Sequence, residues 1–189
     1  MNNCNTIPFA ILTLVFMYGC ATPARVEQMT IPSEEVVHYD GDTPLENDVT
    51  VESVTGGQDT NPLWTSEIGN DEFRQALEQS LAAANLLSPE ENNAHYKLSA
   101  IMLSVNQPVI GVSMTVTTTI QYVLIDITSN KELLIETIVA PYTAKFSDAL
   151  LGVERLKLAN EGSARANITQ LIQKLYELKI SENQVSVSQ

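Results

Sequence analysis

Ile110-Gly111-Val112-Ser113-Met114-Thr115-Val116-Thr117-Thr118-Thr119-Ile120-Gln121-Tyr122-Val123-Leu124-Ile125-Asp126-Ile127 is the strongest structural signal in this 189-residue chain. One side of the run is Ile110, Val112, Met114, Val116, Thr118, Ile120, Tyr122 and Leu124. The other side is more polar: Ser113, Thr115, Thr117, Thr119 and Gln121. A period of two over this length reads as an antiparallel strand with its apolar side on a core. Val123 and Ile125 continue on the polar side, so that face should be partly covered near the strand's end. Ser129-Asn130 suits a tight turn, and Glu132 through Thr143 reads as the returning strand of a long hairpin.

Working outward, Tyr96, Leu98, Ala100 and Met102 alternate before Leu103 and Val105 shift phase, which suggests a bulge. Gln107-Pro108 breaks that run. Val49 through Val54 reads as a first strand stopped by Gly56-Gly57. Between these strands, Phe73, Ala76, Leu77, Ser80, Leu81, Ala84 and Leu87 form a helical stripe, with Asn70 as N-cap and Ser88-Pro89 as the stop. A last, longer helix should run from Leu150 to about Leu178, capped by Ser147 or Asp148. Asn160 and Asn167 fall on its apolar stripe, where each needs hydrogen-bond partners. Gly162 costs about 1 kcal/mol relative to alanine unless it permits a close approach. Ala159, Ser163 and Ala166 are small and nearby, so a close crossing is expected there. The order strand, helix, three strands, helix gives the fold class α+β. The expected architecture is a two-layer sandwich: an antiparallel sheet of about four strands, two helices on one face, and a long C-terminal helix.

The N-terminus carries an address. Ile7 through Phe16 is apolar but too short to span a bilayer as a helix. It leads into Met17-Tyr18-Gly19-Cys20. An h-region of this length with a small residue before a cysteine resembles a bacterial lipoprotein signal, cut before Cys20. Cys20 would then carry lipid, palmitate included. The n-region Met1 to Thr6 has no lysine or arginine, and Met17 and Tyr18 depart from the usual lipobox. Cys4 and Cys20 are the two cysteines; cleavage removes one and acylation consumes the other. No disulfide or thiolate metal site is then expected. Ala21 after the cysteine resembles the sorting signal for the outer membrane in Gram-negative bacteria. The domain reading is a signal peptide over 1–19, Cys20 with an acidic flexible tether over 20–48, an α+β domain over 49–180, and a disordered tail over 181–189. The tether rests on Pro23, Pro32, Pro44 and seven acids set against Arg25. As a coil it would reach on the order of 30 Å. Within it, Asp40-Gly41-Asp42 lacks the further ligands of a calcium loop.

Chemistry is sparse. The formal net charge is −13, which argues against nucleic acid or anionic head groups as electrostatic partners. His38 lies in the expected tether and His95 opens a strand. No HExxH, GxSxG, GxxxxGK[ST] or GxGxxG spacing occurs. The expectation is no enzyme, no cofactor and no metal. Glu161 and Arg165 read first as an i,i+4 surface pair, and with Arg155 they form the charged cluster of interest. Candidate partner-binding residues are Trp64, Thr117, Thr119, Arg155, Asn160, Glu161, Arg165 and Asn167.

Three stretches carry a family resemblance. They are Trp64-Thr65-Ser66-Glu67-Ile68 with Phe73-Arg74-Gln75-Ala76-Leu77; Thr115-Val116-Thr117 to Tyr122; and Arg155-Leu156-Lys157-Leu158-Ala159-Asn160-Glu161-Gly162 with Arg165-Ala166-Asn167-Ile168. Together the layout over about residues 49–178 is similar to small Gram-negative envelope lipoproteins, the YajG-like group. A looser likeness links it to auxiliary lipoproteins of lipid and lipopolysaccharide transporters. The resemblance implies a curved antiparallel sheet with two helices and no catalytic residue to carry over. The functional expectation is a non-catalytic protein on the periplasmic face of the outer membrane, lipid-anchored and working with an envelope protein partner. The alternative is a carrier of lipid or a small molecule, with an apolar pocket between helices and sheet.

Overall fold

The computed structural model describes residues 21–36, 43–61 and 65–178. Cys20, His38, Asp40-Gly41-Asp42, Trp64 and the expected tail over 181–189 lie outside the described residues. The class is α+β. Seven elements follow in order: α1 (Val26–Met29), β1 (Val49–Thr55), α2 (Asn70–Ala83), β2 (Tyr96–Asn106), β3 (Met114–Asp126), β4 (Lys131–Ala144) and α3 (Gly152–Glu177), with a 3-10 turn at Glu91–Asn93.

The sheet is mixed, in the order β1-β2-β3-β4, and not all antiparallel as expected. β2, β3 and β4 pair antiparallel, but β1 and β2 pair parallel. The reason is the helix between them. α2 returns the chain to the end where β1 began, so β2 must run beside β1 in the same direction.

The alternation in β3 is realised. Met114, Val116, Thr118, Ile120, Tyr122 and Leu124 are all buried. The strand starts at Met114, later than the alternation suggests, because its last partner is Ala144 at the end of β4. Ile110 and Val112 therefore have no ladder to join. The expected phase shift in β2 is a register shift between Met102 and Ser104. At the hairpin, Asn130 takes a left-handed φ of 54°, and Asp126 Oδ1 accepts the Thr128 and Ser129 amides.

The two long helices differ from expectation at their ends. α2 buries Phe73, Ala76, Leu77, Ser80 and Leu81, but it stops at Ala83, well before Ser88-Pro89. Asn85 enters the left-handed region at φ 54° and terminates it. At its start, Gly69 holds the cap position and Asn70 is already helical; Asn70 Oδ1 accepts the Gly57 amide at 2.8 Å. α3 begins at Gly152, because Asp148 is engaged in the preceding turn, accepting the Lys145 amide at 2.8 Å.

α3 lies against β3 and β4. Its small residues explain how closely. Ser163 Oγ accepts the Thr118 amide at 2.9 Å and donates to the Ala140 carbonyl at 2.7 Å. Thr118 and Ala140 are register partners, so one helix hydroxyl bridges the two strands' backbones. At the preceding residue, a Cβ on Gly162 would lie 2.3 Å from Tyr142 Cδ1 and 2.5 Å from its Cγ. Gly162→Ala should therefore destabilise by about 1–3 kcal/mol through overpacking, although alanine is the better helix former. In a Tyr142→Ala background the same change should become stabilising. Urea denaturation of the four proteins checks the reversal of sign.

The described residues before β1, 21–36 and 43–48, are not a free tether. Ala21, Ala24, Met29, Ile31, Val36 and Leu45 are buried, and all but Ala21 join the main core. The Ile31 amide donates to Ser80 Oγ on α2 at 3.0 Å. Composition pointed to disorder because it averages over the acids. These apolar side chains are too widely spaced to form a helical or strand period, yet each finds a place in the core.

Candidate functional site

Strand and helix directions gather specific pieces of chain at one end of the molecule. β1, β2 and β4 finish there, and α2, β3 and α3 begin there. Two of the connections, 107–113 and 145–151, display Val109, Ile110 and Val112, and Phe146, Leu150 and Leu151. These are 51–95% exposed. Exposed apolar clusters of this kind mark interaction surfaces.

Arg155 ties the two loops together. It is only 6% exposed. Its Nη1 donates to the Ala149 and Leu150 carbonyls at 2.7 and 2.8 Å. Its Nη2 donates to the Gly111 carbonyl at 3.4 Å. The guanidinium sits 5.1 Å from the Phe146 ring centre, a cation–π contact. Between the 107–113 loop and the first turns of α3 lies an open groove of about 570 Å³. Pro108, Val109, Ile110, Met114, Val153 and Leu156 contribute its apolar lining.

A second surface is the side of the sheet opposite the buried alternation. Thr117 and Thr119 lie there, half-buried. Thr119 is in register with Val139 on β4 and Ser104 on β2. Ile101, Leu103, Ile135 and Val139 are exposed. This face is more apolar than the threonine pattern alone implied, because β2 and β4 supply its aliphatic side chains.

The remaining candidate residues are dispersed. Asn160 and Asn167 are fully buried and spend their amides inside the protein. Asn160 Nδ2 donates to the Ser66 carbonyl at 2.7 Å, and its Oδ1 accepts Gln107 Nε2 at 3.1 Å. Asn167 Oδ1 accepts the Tyr122 hydroxyl at 2.9 Å, and its Nδ2 donates to the Ile138 carbonyl at 3.1 Å. Burial pushes the Tyr122 phenol well above its ordinary pKa.

Glu161 is not a surface partner of Arg165. It is 1% exposed, and its carboxylate accepts three hydrogen bonds from Arg25: the backbone N at 2.9 Å, Nε at 2.8 Å and Nη2 at 3.0 Å. Those bonds hold the Arg25 guanidinium above its usual pKa. Arg165 is half-buried and lines a separate shallow groove with Glu35 and Tyr142. So Arg155, Glu161 and Arg165 form no cluster. His95 stands at the far end of β2, with its Nδ1 2.9 Å from Asp48, about 35 Å of strand away from the loop end. Sequence reasoning missed Arg25 and Gln107. For Arg25 a signal existed: it is the lone base in an acidic stretch.

No helix among the described residues is long and apolar enough to cross a membrane. No protein-family model matches the chain, and no curated protein does. Among solved structures, a DUF330 protein from Xanthomonas campestris is similar at 12% identity and a TM-score of 0.47, covering 58% of this chain and 63% of that one. The present chain thus spans less than two thirds of that neighbour. A candidate lipoprotein from Caulobacter crescentus is similar at 16% identity and a TM-score of 0.46, covering 70% of this chain and 90% of that one. A minor lipoprotein from Acinetobacter baumannii is similar at 14% identity and a TM-score of 0.45, with the same 70% and 90% coverage.

Proposed function

We propose that this chain is a lipoprotein of the bacterial envelope, anchored through Cys20 on the periplasmic face of the outer membrane. It acts without catalysis, by binding an envelope protein partner. The YajG-like identity and a role in envelope assembly or transport belong to the same proposal. The observation that carries it is the uncovered sheet face around Thr117, Thr119, Leu103, Ile135 and Val139. The sheet's edges suit strand addition less well. Arg74 of α2 already donates to the β1 carbonyls of Val51 and Glu52, both at 2.8 Å. β4 carries Pro141, which has no amide to offer a new strand.

The test has two parts. Palmitate labelling should be lost in Cys20→Ser; equal labelling of variant and wild type would remove the anchor. Photo-crosslinking in intact cells from probes on β3 should capture one dominant envelope protein. Thr117→Glu with Thr119→Glu should abolish that capture, with thermal stability changed by less than about 1 kcal/mol, as for surface changes generally. Capture that survives both charges would exclude this face.

The groove at the loop end favours a second reading, a carrier of lipid or another apolar small molecule. It lies beside the loops and α3, and not between the helices and the sheet. Native mass spectrometry of the purified chain, before and after delipidation, should then show one co-purifying ligand that Leu156→Glu removes.

A further inference from the structure

We propose that the loop end of the molecule rests on the bilayer, with the two apolar loops inserted at the boundary between head groups and acyl chains. The inference rests on the reading of Cys20 as the lipid-bearing residue and adds to it an orientation and a second contact.

The first support is the absence of slack. Ala21 is 7% exposed and lines a small groove together with Gln58, Asp59, Gly69 and Glu72. The Ala24 amide donates to the Glu67 carbonyl at 3.2 Å, and Lys157 Nζ donates to Thr22 Oγ1 at 3.2 Å. The described chain is therefore fixed to the body at Ala21, Thr22 and Ala24. Consecutive Cα atoms are about 3.8 Å apart, so acyl chains on Cys20 hold this part of the body against the membrane and not a coil's length away.

The second support is where that fixed point lies. Gly69 caps the start of α2, and Lys157 lies in the second turn of α3. Both helices begin at the end where 107–113 and 145–151 emerge. Val109, Ile110, Leu150 and Leu151 are 63–95% exposed at that end, and Arg155 holds their loops in one arrangement. Apolar side chains beside a lipid anchor add buried apolar area to the membrane contact and fix the body's orientation on it. With a net charge of −13 there is no electrostatic attraction to anionic lipid, so added salt should not release attachment through these side chains, unlike an electrostatic contact.

The test uses the mature chain in vesicles of phosphatidylethanolamine and phosphatidylglycerol with brominated acyl chains. Trp64→Phe removes the native indole, and single reporters are introduced as Ile110→Trp, Leu150→Trp or Thr128→Trp. The first two should lose about half of their emission, as expected for side chains within 5–10 Å of the acyl boundary. Thr128→Trp, at the opposite turn, should lose none. Unquenched reporters at 110 and 150 in a chain whose mass includes the acyl groups overturn the inference. A mass without acyl groups refutes the anchor separately. Quenching of that unacylated chain by added vesicles would still support the membrane-facing loops, and its absence would overturn them.

Discussion

Asn167→Ala is expected to destabilise the protein by about 3–5 kcal/mol, a large share of a domain's stability. The reason is the number of buried groups that meet at one amide. Tyr122, Thr118 and Ile138 all direct polar atoms at Asn167, on two strands that α3 covers. Removing the amide leaves the Tyr122 hydroxyl without its acceptor where water is excluded. Asn167→Leu, which keeps the branched shape in a larger side chain, should cost nearly as much, through lost polarity together with some overpacking. Adding Tyr122→Phe to Asn167→Leu should then recover about 1–3 kcal/mol, the penalty of one unsatisfied buried group. Equilibrium denaturation of the single and double variants measures this. The pH dependence follows from the same burial. The folded-state pKa of Tyr122 is raised above the unfolded value. Between the two values the native state keeps a proton that the unfolded chain has lost. This contribution is fully present below about pH 10 and falls by about 1.4 kcal/mol per pH unit above it. Tyr122→Phe should flatten that alkaline limb. Tyr176, also raised by burial and by Glu46, keeps its own share.

Arg25→Ala is expected to cost about 3 kcal/mol and to free the N-terminal segment. The pair is asymmetric. The Arg25 side chain is 44% exposed and that of Glu161 is 2% exposed. Removing the arginine strands a carboxylate in the interior with one backbone amide for company. Glu161→Gln should cost less, because an amide oxygen still accepts from Arg25 and the released guanidinium can turn to water. Denaturation orders the two variants, and hydrogen exchange over residues 24–31 shows whether α1 and its flanks have detached. An Arg25→Ala protein with unchanged exchange there would mean that Ala24, Met29 and Ile31 hold the segment by themselves. The result bears on function, since a freed segment would restore a tether and lift the loop end off the membrane.

Much of the candidate surface was legible in the chain, though not its composition. Thr117 and Thr119 were placed on the more polar face by alternation alone, whereas the phase shift in β2 marked a bulge without saying that Leu103 is exposed. The same periodicity located the buried stripes of α2 and α3, the need of Asn160 and Asn167 for partners, and the close approach at Gly162. These readings succeed because spacing within one element fixes which side chains share a face, whatever that face meets. Other features required the folded chain. β1 pairs parallel to β2, β3 starts only where β4 can reach it, and Glu161 finds Arg25 across 136 residues. Arg155 closes two loops that no local pattern joins, and Ala21 to Val36 packs where composition promised a coil. Pairing between distant segments depends on which faces and charges remain unsatisfied after every element has docked, and a local period carries no record of that.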